Sequence, residues 1–182
     1  MAGRSSSPRE CAVTSGKISD FIRAWRDSTT CGPWGTWDGG REKAPAAICR
    51  KVIEAKLTGK HEIEIWGSGE QTRSFMYIDD CLKGINLIMN SNILEPINLG
   101  SSEAVTINQL VGLAEEFAGI KLRRRYNLDA LKGVNGRNSD NTLIKKLLNW
   151  EPDTSLRKGL EQTYRWIYDQ YVAREKEHSL SV

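Results

Sequence analysis

The sequence is short of most features that place a protein at a glance. No apolar run approaches the roughly 20 residues that a membrane-spanning helix needs, and the start lacks the apolar stretch of a secretory signal. Histidine occurs twice, at His61 and His178, and the four cysteines, Cys11, Cys31, Cys49 and Cys81, form no Cys-x-x-Cys pair. That disfavours a metal site, and the cysteines read as reduced thiols of a cytoplasmic protein. No histidine lies near a cysteine in sequence, so a Cys-His nucleophile has no support. An excess of one charge is also missing. The 26 basic and 23 acidic residues leave +3, too little to argue for nucleic acid or an anionic membrane as partner.

What is present is enough chain, 182 residues, for one domain with a real core, but little for the usual two-domain nucleotide enzyme. Residues 1–30 differ in composition from the rest, opening on Arg-Ser-Ser-Ser-Pro-Arg with one brief apolar cluster at Phe21, Ile22 and Trp25. They are expected to be a disordered or loosely attached leader. The folded unit is expected over residues 31–178, with a tail at 179–182.

The chain is organised around Trp66 to Asp80. Charged and apolar residues alternate from Glu62 to Trp66, the period of a half-buried strand, and Gly67 to Gly69 supplies a turn. Gln71, Thr72 and Arg73 follow, three side chains able to hydrogen-bond, then an apolar run from Phe75 to Ile78 that reads as a second strand. Asp79 or Asp80 is expected to cap a helix carrying Leu82, Ile85 and Met89 on one face. The Gly-x-Gly at Gly67 and Gly69 does not continue into Gly-x-Gly-x-x-Gly. Thr72 stands at the third position, and a strand follows where that fingerprint needs a helix.

Upstream, a glycine-rich loop from Cys31 leads into a helix over about Ala44 to Lys56, with Pro45 in its first turn and Ile48, Val52 and Ile53 inward. Glu42 and Lys43 then stand at the helix start, where backbone N–H groups lack partners and anions are favoured. By charge pattern alone, Arg41-Glu42-Lys43 is a solvated surface triplet. Downstream, Pro96 to Gly100 reads as a short strand, and Thr106 with Gln109 forms a capping box for a helix to about Ala118. Arg123, Arg124 and Arg125 are read as an exposed edge strand whose charges discourage pairing rather than as a phosphate-binding cluster. A polar loop around Arg137 precedes a helix over Thr142 to Leu148, and a last helix starts at Thr154 or Ser155.

Four stretches together, Gly39 to Pro45, Trp66 to Asp80, Gly136 to Asn141 and Leu147 to Pro152, resemble the GDP-mannose 3,5-epimerase family. More broadly they resemble the C-terminal half of extended short-chain dehydrogenases/reductases, the NAD-dependent epimerases and dehydratases. The resemblance implies an α/β fold: the substrate-binding C-terminal half of an extended Rossmann-type enzyme, a small sheet with helices. It implies an isomerase that converts GDP-mannose to GDP-L-galactose by NAD-assisted oxidation at C4, epimerisation at C3 and C5, and re-reduction. Lys43 matches the catalytic lysine, whose place at a helix start suits acid–base exchange. Glu42, Lys43, Ala44, Lys51, Gln71, Thr72, Arg73 and Arg137 match substrate-binding positions, and a planar guanidinium suits a diphosphate.

Against that pattern, no Gly-x-Gly-x-x-Gly occurs and none of the five tyrosines has a lysine at the fourth following position. Thr29 stands where the family has a substrate-contacting Asn, and Asn135 where an Arg is common. The expectation is therefore that the Rossmann half that binds NAD is missing and that the chain is inactive alone, a fragment with a GDP-sugar as ligand. As a homodimer, or paired with a full-length subunit, it would have neither nucleic acid nor membrane as partner. The alternatives are another NAD-dependent sugar-nucleotide epimerase or dehydratase, and a non-catalytic GDP-sugar-binding module.

Overall fold

The computed structural model describes residues 11–13, 23–27, 29–130 and 135–180. The leader expected over residues 1–30 lies largely outside these. Its described parts are three short strands, β1 (Cys11–Val13), β2 (Arg23–Asp27) and the start of β3 (Thr29–Cys31). The chain continues as α1 (Ala44–Thr58), β4 (Glu62–Trp66), β5 (Thr72–Tyr77), α2 (Ile78–Met89), β6 (Ile97–Leu99), β7 (Ala104–Thr106), α3 (Ile107–Ala118), β8 (Arg123–Asn127), β9 (Gly136–Arg137), α4 (Thr142–Leu148) and α5 (Leu156–Leu180).

Local chemistry explains most of these boundaries. Pro45 sits in the first turn of α1, where its missing N–H is no loss, and Gly59 closes the helix at φ 69°. The α3 start is a full capping box, with Thr106 Oγ1 accepting from the Gln109 N–H at 3.0 Å and Gln109 Oε1 from the Thr106 N–H at 2.8 Å. Asp79 and Asp80 do not cap α2. Tyr77 is the N-cap and both aspartates lie in the first turn, where negative charge complements the helix dipole. Asp80 is buried there and accepts from the Thr154 N–H at 2.9 Å.

Pairing in the sheets is mainly parallel. β2 pairs with β6, β3 with β5, β5 with β9 and β4 with β8 in parallel, while β1–β2 and β5–β7 are antiparallel. β5 divides two cores. Phe75 and Tyr77 join a large cluster made by Val52 and Ile53 of α1, Ile63 and Ile65 of β4, Leu110 and Val111 of α3, and Leu160 and Ile167 of α5. Met76, on the opposite face, joins Cys81, Ile88, Ile97, Leu99 and Ile144. A strand buried on both faces reads as a continuous apolar run, and Phe75 to Tyr77 is one.

These pairings correct the expected fold. An α/β arrangement with parallel strands flanked by helices spans almost the whole chain, from β1 to α5, consistent with a Rossmann-type nucleotide-binding fold. It is not a C-terminal half that lacks its Rossmann portion, because β2, within the supposed leader, lies in register beside β6, with Trp25 opposite Ile97 and Asp27 opposite Leu99.

The reading of β8 is sharpened as well. Among the described residues it is the edge of a two-stranded sheet, paired with β4 alone, and its arginines bind acids of that neighbour. Arg123 and Arg125 bind Glu62, and Arg125 reaches Glu64 at 3.4 Å, both acids on the neighbouring β4. Cys31 and Cys49 are buried free thiols, and Cys81 is buried as well. No described helix is long and apolar enough to cross a membrane.

Candidate active site

The segment that enters α1 shapes the site. Gly39 and Gly40 both have positive φ, 89° and 80°, a conformation that residues with a Cβ rarely adopt. Beyond them Lys43, the N-cap of α1, has extended backbone at φ −79° and ψ 160°. In extended backbone, successive side chains point to opposite sides. Gly40, Glu42 and Ala44 accordingly line one hollow, and Arg41 and Lys43 line another. Residues 40–44 form the wall between them.

The larger hollow encloses about 540 Å³. Besides the wall it is lined by Ile48, Arg50 and Lys51 of α1, Glu64, Ile65 and Trp66 of β4, then Gln71, Arg73 and Ile107. Glu42 is held in it by Arg50, whose Nη2 donates to Oε1 at 2.9 Å, while the buried Oε2 has no partner. Burial alone would raise this carboxyl. Backbone N–H donors from Glu42 and Gly40 together with the Arg50 charge outweigh it and leave the group below its ordinary value. Lys51 is depressed by burial, an effect that Glu64 opposes. Its Nζ donates to the Glu64 carbonyl at 3.2 Å and lies 6.0 Å from the centroid of the Trp66 ring. Gln71 is fixed by Nε2 donating to the Trp66 carbonyl at 2.7 Å.

Arg73 and Arg137 stand opposite each other on the parallel strands β5 and β9. Paired residues in a parallel register project from the same face of the sheet. Arg73 donates from Nη1 to the Thr72 carbonyl at 2.7 Å, and neither guanidinium has a carboxylate partner among the described residues.

The smaller hollow, about 250 Å³, is lined by Thr30, Cys31, Gly32, Pro33, Gly35, Thr36, Arg41, Lys43, Ala46, Ile78 and Thr163. It opens where the parallel strands β3 and β5 end, at Cys31 and Tyr77. Carboxyl ends of parallel strands are where open α/β sheets take their ligands. Burial pushes the Cys31 thiol up to about 12, so it stays protonated, against the opposing effect of a hydrogen bond with Thr163.

Of the residues expected from sequence, Glu42, Ala44, Lys51, Gln71 and Arg73 gather on the larger hollow. Lys43 is turned across the wall into the smaller one, and Thr72 and Arg137 line neither. The sequence reading missed Arg50, Glu64 and Trp66 as lining residues, although the alternation of β4, with Ile63 and Ile65 buried, already put Glu64 and Trp66 on the face away from the core. It also missed Cys31 and Thr163, which meet Lys43 only through tertiary packing.

Comparisons with known proteins agree with this architecture. Residues 20–100 match the NAD dependent epimerase/dehydratase family. The chain is 43% identical over 160 residues to GDP-mannose 3,5-epimerase 1 of Oryza sativa subsp. indica, covering 88% of this chain and 41% of that protein. The chain thus spans well under two thirds of the curated relative. Its structure is similar to UDP-glucose 4-epimerase of Thermotoga maritima, solved with UDP-glucose, at TM-score 0.73 and 27% identity, covering 82% of this chain and 46% of that one. It is also similar to UDP-glucuronic acid 4-epimerase of Bacillus cereus, solved with UDP-glucuronic acid and NAD, at TM-score 0.68 and 26% identity, covering 85% of this chain and 47% of that one. Shared architecture with a protein solved with NAD overturns two further expectations: that the portion serving NAD is absent, and that the chain is an inactive fragment for want of it.

Proposed function

We propose that this chain is an NAD-dependent sugar-nucleotide epimerase/dehydratase, and that its substrate is a GDP-hexose of the GDP-mannose type. The observation that carries the reading is the larger hollow, where a half-buried lysine, a guanidinium, an amide and a carboxylate converge from separate segments of the chain. The 43% identity to a GDP-mannose 3,5-epimerase favours a GDP-sugar over a UDP-sugar.

The substrate lies across the wall of residues 40–44. Arg73 and Lys51 hold the diphosphate, with Arg137 beside Arg73 adding a second guanidinium fork. Gln71 faces hydroxyl or N–H groups of the ligand, and Glu42, held by Arg50, forms the wall beside it. The sugar end then reaches the smaller hollow and the Lys43 amine, which takes or returns a proton at a carbon beside a carbonyl. Thr30, at the end of the parallel strand β3, and Thr36 in the loop after it would face the reacting end of NAD where that end meets the sugar. When bound, NAD supplies reversible oxidation of a sugar hydroxyl to the ketone that acidifies the neighbouring carbon. Ala44 and Thr72 carry no chemistry of their own here; they shape the approach to Glu42 and Arg73.

Titration calorimetry with GDP, GDP-mannose and UDP-glucose, followed by incubation with NAD and sugar analysis, tests this. The expected result is binding of GDP and GDP-mannose in preference to UDP-glucose, and conversion of the hexose. A folded sample that takes up none of the three overturns the reading. Equal uptake of both nucleotide classes keeps the family and removes the GDP preference.

A further inference from the structure

We propose that the smaller hollow is an oxyanion subsite in which Arg41, acting with Lys43 and the start of α1, holds negative charge on the sugar end of the ligand. The inference rests on the preceding reading only for the identity of that ligand; the site itself stands on charge and geometry.

In sequence, Arg41-Glu42-Lys43 looks self-neutralising. The extended wall undoes that. Glu42 is carried to the other side, where it pairs with Arg50, and both cations are left on this side with no carboxylate partner among the described residues. No acidic residue lines the hollow.

The helix start adds to the imbalance. α1 has 15 residues, no side chain caps its N-terminus, and no acid occupies its first turn. Its N-cap is Lys43, which has nothing to accept with, and Ala46, in the first turn, lines the hollow. Unpaired N–H groups at a helix start carry roughly half a positive charge. Two unpaired cations, an uncapped helix and the hydroxyls of Thr30 and Thr36 thus converge on about 250 Å³, with no acid of the protein among its lining to balance them; the Thr163 hydroxyl is committed to the Gly159 carbonyl at 2.7 Å. A ligand oxyanion supplies the balance.

In the proposed chemistry that oxyanion arises at a defined step. Having released its resting proton to solvent, the Lys43 amine takes the proton from a carbon beside the ketone, the C–H electron pair moves into the carbon skeleton, and the carbonyl oxygen becomes an enolate held by Arg41 and the ammonium so formed. Return of the proton from the Lys43 ammonium restores the ketone. A carboxylate borne by the hexose would occupy the same position, and the two share one chemistry.

The test acylates surface amines of the full chain in limiting reagent, with and without inorganic phosphate, and maps Lys43 by mass spectrometry. Phosphate at twice its Kd slows Lys43 acylation about threefold in the native chain and leaves the exposed Lys176 unchanged. Arg41→Ala, an exposed position, removes that protection and Arg41→Lys keeps most of it. Absence of protection in the native chain, or equal protection in Arg41→Ala, overturns the proposal.

Two nucleotide arms then assign the source. About tenfold tighter binding of GDP-mannuronate than of GDP-mannose, lost in Arg41→Ala, identifies a carboxylate. Deuterium uptake from solvent into GDP-mannose with NAD, slowed at least about tenfold in Arg41→Ala without change in affinity for GDP, identifies the enolate. Phosphate protection without any GDP binding keeps the subsite and removes the nucleotide-sugar reading.

Discussion

The arginines of β8 and the arginines around the two hollows have the same side chain and opposite employment. Arg123, Arg124 and Arg125 are the most conspicuous basic cluster in the sequence, and each has an acidic partner. Arg123 and Arg125 bind Glu62, Arg125 also approaches Glu64, and Arg124 bonds Glu115 at 3.4 Å and Asn108 at 3.2 Å. Arg41, Arg73 and Arg137 stand singly in sequence and have no carboxylate among the described residues. Density of charge along a chain therefore marks a strand held by its neighbour, while availability for a ligand depends on what the fold leaves unpaired.

Breaking the structural side of this comparison gives the largest expected effect. Glu115 is 1% exposed, and its carboxylate accepts from the buried Leu122 N–H at 3.0 Å as well as from Lys121 and Arg124. Glu115→Ala is expected to cost roughly 3 kcal/mol, because a half-buried guanidinium and a buried N–H lose their acceptor together. Urea denaturation measures it, and an unchanged midpoint would remove β8 from the structural class.

On the ligand side, Arg73→Ala is expected to weaken GDP about tenfold to a hundredfold with the thermal midpoint unchanged, and Arg73→Lys to fall between. A loss of stability comparable to that of Glu115→Ala would place Arg73 with the β8 arginines instead.

Glu42 links both sides, being paired to Arg50 while it lines the larger hollow. Its folded carboxyl lies below the ordinary 4.5, so the unfolded chain binds the proton more readily. Its contribution to stability is present above 4.5 and is lost as pH falls through the lower folded value. Glu42→Gln should flatten the acid limb of a stability–pH curve below pH 4.5; an unaltered limb would show that the Arg50 pair contributes nothing to it. Smallest of all is Arg123→Ala. Its side chain is 82% exposed, so neither the thermal midpoint nor GDP affinity should move measurably.

Much of the local structure was legible before any coordinates. The alternation of β4, the capping box at Thr106 and Gln109, and the apolar face of α1 are short-range signals, and the structure places strand, cap and helix on them. The overall architecture was not. A search for a glycine fingerprint detects one phosphate-binding turn and says nothing of strand pairing, whereas β2 is recognisable only because Trp25 to Asp27 lie beside Ile97 to Leu99, some seventy residues on. Absence of the motif therefore says nothing about the layer. The site was half legible for a related reason. Five of the residues expected to bind substrate do share a hollow, but the resemblance sets Lys43 with Glu42 among the substrate-binding positions, and the two face different hollows.

That wall has a consequence for how the chemistry can vary. Which cavity receives acid and which receives base is set by parity, odd residue numbers to one side and even to the other. Because Lys43 is fixed as the N-cap of α1, one residue added between Glu42 and Lys43 would carry the carboxylate across to the side of the amine, where the sugar is expected, and leave the amine in place. Changes in pairs would preserve the division of labour, so length variation in this loop is constrained in steps of two.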